Sequence, residues 1–260
     1  MISWERSINI KSAQEIEIMR EAGRINAEAL RATVALIEPG VTTAELNAAF
    51  EAVQKRYEVY SPFKNYPGPY PYPASICTSV NEELVHGIPG KRKLVEGDIV
   101  SIDAGTVYKG FVGDMSVTIG VGKVSPETER LIKVTEHALK VAISNMVPEN
   151  TTGDVGYAVQ TYVENQGYQV TRTYTGHGVG RKMHEGPQMP NYGKPGRGMR
   201  LREGMTIALE PMVLVGTSET VVKADQWTVA SADGSLTAHF EHTVAITADG
   251  PQILTLLSEN

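Results

Sequence analysis

The chain has 260 residues, of which 41% are hydrophobic and 21% charged, with a formal net charge of −6; this is the composition of a globular protein long enough to bury a substantial core. The acidic balance, without any long Lys/Arg block, argues against a nucleic-acid footprint, and no run approaches the roughly 18 apolar residues a membrane helix needs. The single cysteine, Cys77, cannot close an internal disulfide and fits a reducing compartment. Residues Met1 to Ser7 lack the apolar core of a secretory signal, so a cytoplasmic location is expected and Asn150-Thr-Thr is discounted as a glycosylation acceptor.

In chain order, residues 12–37 read as an amphipathic helix with Ile18, Ala22, Ile25, Ala29, Ala32 and Leu36 at helical spacing. Thr42 or Thr43 can cap a second helix running to about residue 57. The segment from Pro62 to Pro73 is expected to be an irregular loop, because its prolines cannot donate to a ladder. Strand-like runs follow at 76–80, 98–104 and 111–121, then helices at 127–146 and 152–166, then strands at 205–209, 220–230 and 236–247. Helix pairs followed by hairpins predict an α+β fold with helices packed on a mainly antiparallel sheet.

Parts of this order repeat. Ala29-Leu30, Pro39 and Thr42-Thr43 recur at an offset of 109 as Ala138-Leu139, Pro148 and Thr151-Thr152, and Leu94 to Asp103 is echoed at an offset of 107 by Leu201 to Glu210. The chain therefore reads as one catalytic domain over 1–260 with two similar halves, about 12–121 and 122–250.

Each half ends an apolar strand on an acid, Asp103 after Ile-Val-Ser-Ile and Glu210 after Thr-Ile-Ala-Leu. A buried lone carboxylate is costly unless it is paired or holds a cation. A hairpin centred between Tyr108 and Lys109 would set Asp103 directly opposite Asp114, with β-carbons about 5 Å apart; the alternative is two surface acids beside a turn. In 235–247, alternation puts Phe240, His242, Val244 and Ile246 on one face and His239, Glu241, Thr243 and Ala245 on the other. Glu241 is by default a solvated acid, unless it mirrors Asp114 as partner of Glu210.

Six histidines occur. His177 and His184 lie in the glycine-rich stretch Thr175 to Glu185, and His86 sits beside Gly87 and near Pro89. The glycine spacing is not a phosphate loop, since no Lys-Ser/Thr follows it. His137 reads as a surface residue, and His239 and His242 as structural neighbours of Glu241. One imidazole with four carboxylates would suit two divalent cations, whose charge the carboxylates balance, and mixed O/N ligation favours Mn, Fe, Co or Zn over a thiolate-seeking metal. Paired cations of this kind serve hydrolysis.

Asn81-Glu-Glu-Leu-Val-His-Gly-Ile-Pro, Gly97-Asp-Ile-Val-Ser-Ile-Asp, Gly113-Asp-Met-Ser, Gly176-His-Gly-Val-Gly, Met183-His-Glu and Ala208-Leu-Glu-Pro, in this order, resemble the methionine aminopeptidases, and most closely their short type I. The resemblance spans almost the whole chain and implies the pita-bread fold, a hydrolase with two divalent metal ions, and removal of the initiator methionine from nascent polypeptides with a small second residue, at the ribosome, by a cytoplasmic monomer. By position it makes Asp103 a chelator of one metal, Asp114 and Glu241 bridges, and His177 and Glu210 ligands of the other. It makes Glu210 the general base for a metal-activated hydroxide, His184 the partner of the scissile carbonyl oxygen, and His86 the contact of the scissile nitrogen. Tyr72, Cys77 and Trp227 match the methionine pocket, where sulfur–aromatic contacts suit a thioether. The sequence departs from many members at Pro69, Tyr70 and Met183.

Overall fold

The computed structural model describes residues 8–256; the N-terminal stretch read for a secretory signal lies outside them. Helices α1 (Ala13–Val34) and α2 (Thr43–Arg56) open the chain and are followed by strands β1 (Ile76–Val80), β2 (Glu83–Val85), β3 (Ile99–Tyr108) and β4 (Phe111–Gly120). Helices α3 (Pro126–Ser144) and α4 (Thr152–Asn165) come next. Ten further strands complete the described residues: β5 (Gln169–Val170), β6 (Gly176–Gly178), β7 (Glu185–Met189), β8 (Thr206–Leu209), β9 (Met212–Leu214), β10 (Thr220–Val222), β11 (Val229–Ser231), β12 (Thr237–His239), β13 (Glu241–Thr247) and β14 (Gly250–Ile253). No helix among the described residues is long and apolar enough to cross a membrane.

Local chemistry sets the helix starts. Ser12 with Glu15, Thr42 with Glu45 and Thr151 with Asp154 form capping boxes, and Ser125 caps α3 ahead of Pro126. Of the apolar stripe anticipated for α1, Ala22, Ile25 and Ala29 are buried and Ile18 and Ala32 half-buried, whereas Leu36 lies beyond the helix and is 45% exposed. The buried face is wider than that stripe and also takes in Ile16, Met19, Asn26, Leu30 and Thr33. Two of these are polar and satisfied: Asn26 donates to Ala104 O (2.6 Å) and accepts from Thr106 Oγ1 (2.9 Å), and Thr33 donates to Ala29 O. Asn26 thereby pins α1 to the strand that carries Asp103. Gly113 and Gly23 bring α1 and β4 into backbone contact, since a methyl group on Gly113 would occupy the backbone of Gly23.

The main sheet runs β1-β3-β4-β13-β8-β6-β7, with β14 added to β13. Every pairing in it is antiparallel. One face of its first part packs on α1 and α2 through Leu46, Phe50, Val100 and Ile102; the far part packs on α3 and α4 through Leu131, Val159, Ile207 and Val244. Matching connections tie each helix pair to its strands: Thr42 bridges Lys93 and Leu94 N–H donates to Val41 O, while Thr151 bridges Arg200 and Leu201 N–H donates to Asn150 O. Two smaller sheets, β10-β11-β2 and β12-β9-β5, flank the main one.

Residues 62–73 form no strand. The long runs at 220–230 and 236–247 each divide. The first becomes the hairpin β10–β11, and the second switches sheets at Phe240, because β12 pairs with β9 whereas β13 pairs with β4 and β8.

Candidate active site

The hairpin β3–β4 turns on Lys109 (φ 47°) and Gly110 (φ 79°), with Tyr108 opposite Phe111. The register therefore differs by two residues from the one expected. Asp103 faces Ser116 and Asp114 faces Gly105, so the two acids are diagonal neighbours on one face, not directly opposed. Glu241 also pairs with Ser116, which puts it on the face of Asp114; His242 pairs with Leu209, so the residue after β8, Glu210, follows the same alternation. His177 pairs with Ala208 and points to that side too. Five donors thus come from five consecutive strands of one sheet, all on its concave face.

Glu241 is not a solvated acid. It is 2% exposed, because loops and smaller sheets cover the concave face. His177 Nε2 stands 3.4 Å from Glu210 Oε1 and 3.8 Å from Asp114 Oδ2. Donor atoms of Asp114, His177 and Glu241 all lie within 4.8 Å of one another. His177 Nδ1 lies 2.9 Å from Gly178 O; since that carbonyl can only accept, Nδ1 carries the proton and Nε2 presents its lone pair to the carboxylates. Thr243 brackets Asp114, its hydroxyl accepting from the Asp114 N–H (3.0 Å) and donating to the Asp114 carbonyl (2.9 Å).

Four carboxyl groups gathered without a cation resist ionising together. Burial, reinforced by the neighbouring acids, pushes Asp103, Glu210 and Glu241 well above the usual carboxylate range, and burial lifts Asp114 to about 7. Burial lowers His177 to about 3, so its ring is a neutral ligand. Among the described residues, Asp103 Oδ1, Asp114 Oδ1 and Glu241 Oε1 are buried without a hydrogen-bond partner. Orphaned oxygens of this kind beside a free imidazole lone pair, with no thiolate, match the donor set of hard or borderline divalent cations. The residues fit a metal centre.

Above this floor a cleft opens to solvent, and it is lined by all ten residues singled out in the sequence: the five donors with His86, His184, Tyr72, Cys77 and Trp227. Cys77 pairs with Asp103 across β1–β3, so the apolar wall begins directly beside the acids. Burial, and then Asp103, push the Cys77 thiol up. Tyr72 is buried, with its hydroxyl 2.9 Å from Gly87 O and its ring edge-on to Trp227 at 5.2 Å. His86 holds a left-handed φ of 61° and stacks edge-on with Tyr174 and Trp227. Met183 lines the cleft, whereas Tyr70 braces the wall from behind: its carbonyl accepts from Trp227 Nε1 (3.2 Å) and its hydroxyl donates to Asp225 O (2.8 Å).

Two further residues take part closely. His239, read from the sequence as a neighbour of Glu241 on the same strand face, is 1% exposed and lies 3.6 Å from Glu210 and 3.9 Å from Glu241; only its contact with Glu210 was not anticipated. Tyr66 contacts His184 from the irregular loop, and no periodicity could have placed it there.

Comparison with known proteins agrees with this geometry. Residues 17–248 match the model of metallopeptidase family M24. A methionine aminopeptidase of Clostridium acetobutylicum is 48% identical over 250 residues, covering 96% of this chain and 99% of that one. The crystal structure of the Thermotoga maritima methionine aminopeptidase superimposes with a TM-score of 0.92 at 48% identity, covering 95% of this chain and 99% of the other. An Xaa-Pro dipeptidase of Bacillus anthracis, at 22% identity and a TM-score of 0.76, shares the fold, and this chain covers 63% of it. The chain belongs to metallopeptidase family M24 and, within it, to the methionine aminopeptidases of pita-bread fold.

Proposed function

We propose that this protein is a metal-dependent aminopeptidase that removes the initiator methionine from nascent polypeptides with a small second residue. On this reading it acts in the cytoplasm, at the ribosome, as a monomer whose single catalytic domain comprises the halves 12–121 and 122–250. The observation that carries the proposal is the union of two features in one cleft: five metal-compatible donors on the floor, and at their side an apolar wall of buried Tyr72 and Cys77 with half-buried Trp227.

Asp103, Asp114, His177, Glu210 and Glu241 would hold two divalent ions, drawn from Co, Mn, Fe and Zn. The chemistry supplied there when the ions are bound is Lewis-acid activation of the attacking water and of the substrate carbonyl. The chain's own residues do the rest. The wall takes the thioether side chain, and the substrate's free amine is drawn to the acidic floor, which restricts cleavage to the first residue. His184 donates a hydrogen bond to the scissile carbonyl oxygen, where negative charge develops. A Glu210 carboxylate oxygen takes the proton of the attacking water and returns it to the departing amine nitrogen, which His86 contacts.

The test is hydrolysis of Met-Ala-Ser against Ala-Pro peptides by protein stripped of metal and restored with single ions, together with metal analysis. Release of methionine with two ions bound per chain is expected. Preferred cleavage before proline would overturn the assignment, and full activity with one equivalent would overturn the two-ion site.

A further inference from the structure

Tyr66 belongs to the proline-rich loop and to none of the recognised motifs, yet its hydroxyl lies 2.6 Å from Nδ1 of His184, with the rings edge-on at 5.3 Å and 72°. The loop holds it there by its own backbone: Tyr66 N–H donates to Phe63 O (2.8 Å), Tyr72 N–H donates to Tyr66 O (3.0 Å), and Asn65 N–H, at a left-handed φ of 66°, donates to Tyr72 O (2.8 Å). The His184 ring also meets His177, centroid to centroid at 4.2 Å. Among the described residues His184 has no other hydrogen-bond partner, so the one it has decides which ring nitrogen carries the proton.

The direction of that bond follows from acidity. A phenol, with an ordinary pKa of about 10, is a far better donor than a neutral imidazole N–H, and an imidazole nitrogen is a better acceptor than a phenol oxygen. Burial raises the Tyr66 hydroxyl further, which keeps its proton on at neutral pH. We propose that Tyr66 is a positioning residue for the reaction: its hydroxyl donates to Nδ1 of His184 and holds that ring as the Nε2–H tautomer, a hydrogen-bond donor to the substrate's scissile carbonyl oxygen. The inference rests on the role given to His184 above. It also gives the loop a duty beyond shaping the wall, since the same twelve residues, 62–73, carry both Tyr66 and Tyr72.

The variant Tyr66→Phe keeps the ring and removes only the hydroxyl. Turnover of Met-Ala-Ser is expected to fall about five- to tenfold, the effect of losing one neutral hydrogen bond, with KM within about twofold of the parent. In a His184→Gln background the same change should cost nothing further. Nitrogen-15 spectra of histidine-labelled, zinc-loaded protein, assigned by the loss of the His184 signals in His184→Gln, should report Nε2–H in the parent and mixed tautomers in Tyr66→Phe. An unchanged kcat, an equal loss in both backgrounds, or a parent ring protonated at Nδ1 would each overturn the proposal. If His184→Gln alone leaves turnover intact, the role of His184 itself is wrong and the inference falls with it. If His184→Gln is impaired but Tyr66→Phe is not, only the inference falls.

Discussion

The floor of the cleft draws its five donors from consecutive strands of one sheet, whereas its wall is assembled from separate pieces: Tyr66 and Tyr72 from an irregular loop, Cys77 from β1 and Trp227 from the hairpin β10–β11 of a different sheet. The ladder fixes the floor, because backbone register determines both the spacing and the side of each donor. The wall depends on side-chain contacts, chiefly the edge-on packing of Trp227 against Tyr72 and the carbonyl of Tyr70 that accepts from its indole. The two regions should therefore fail differently. Damage to the floor should abolish metal retention and turnover, and damage to the wall should weaken recognition while the metal stays bound.

The largest separation is expected from Glu241→Gln. Metal content should drop below two ions per chain and turnover should fall on the order of a thousandfold, the scale of removing a principal electrostatic element. Full activity in this variant would remove the two-ion reading. The same change should raise the melting temperature of the chelated protein, because it removes one of four crowded acids. A subtler test concerns pH. Asp114 titrates near 7 in the fold against an ordinary 3.8, so the native state binds its proton more tightly than the unfolded chain does. Its favourable contribution is complete below the ordinary value and is lost as pH rises through about 7. In chelated protein, Asp114→Asn should therefore melt above the parent at about pH 8 and lose that advantage at about pH 4, and divalent cation should cancel the gain. A constant difference across that range would mean that burial does not hold the Asp114 carboxyl in its protonated form.

The floor was largely legible in the sequence, and the reason is visible in its one error. The β3–β4 register was expected two residues away from where it lies, but side chains alternate with a period of two, so Asp103 and Asp114 remained on one face. An error of one residue would have separated them. What alternation could not reveal was which face is covered, so a solvated acid was the default for Glu241 and only its company and the resemblance made it a ligand. The buried face of α1 was only partly anticipated because Asn26 and Thr33 are polar yet buried, and their hydrogen-bond partners, Ala104 O and Thr106 Oγ1 for Asn26 and Ala29 O for Thr33, are not visible in a helical pattern. His177, on a three-residue strand between glycines, was found through its motif and not through periodicity. The wall was readable only where the resemblance named a position. Tyr66 and its bond to His184 depend on loop geometry that no spacing rule encodes.

Within the wall, Trp227→Ala should raise KM for Met-Ala-Ser about tenfold, as expected for losing a packed aromatic surface, and leave two ions bound. Loss of metal in this variant would mean that wall and floor are not separable. Cys77 is the sharper and smaller test, because it sits where they meet, paired with Asp103 across the ladder and within reach of the pocket. Burial and the adjacent carboxyl both hold its thiol in the protonated form, so it packs as a small apolar group. Cys77→Ala should cost about two- to threefold in kcat/KM, in line with a partial loss of one apolar contact, without changing metal content. Alkylation of the parent at neutral pH should be much slower than that of an exposed cysteine, since little thiolate is present to react. If Cys77→Ala instead lost metal, the thiol would have to be counted with the floor, and the boundary between the two regions would lie one strand further out than the geometry places it.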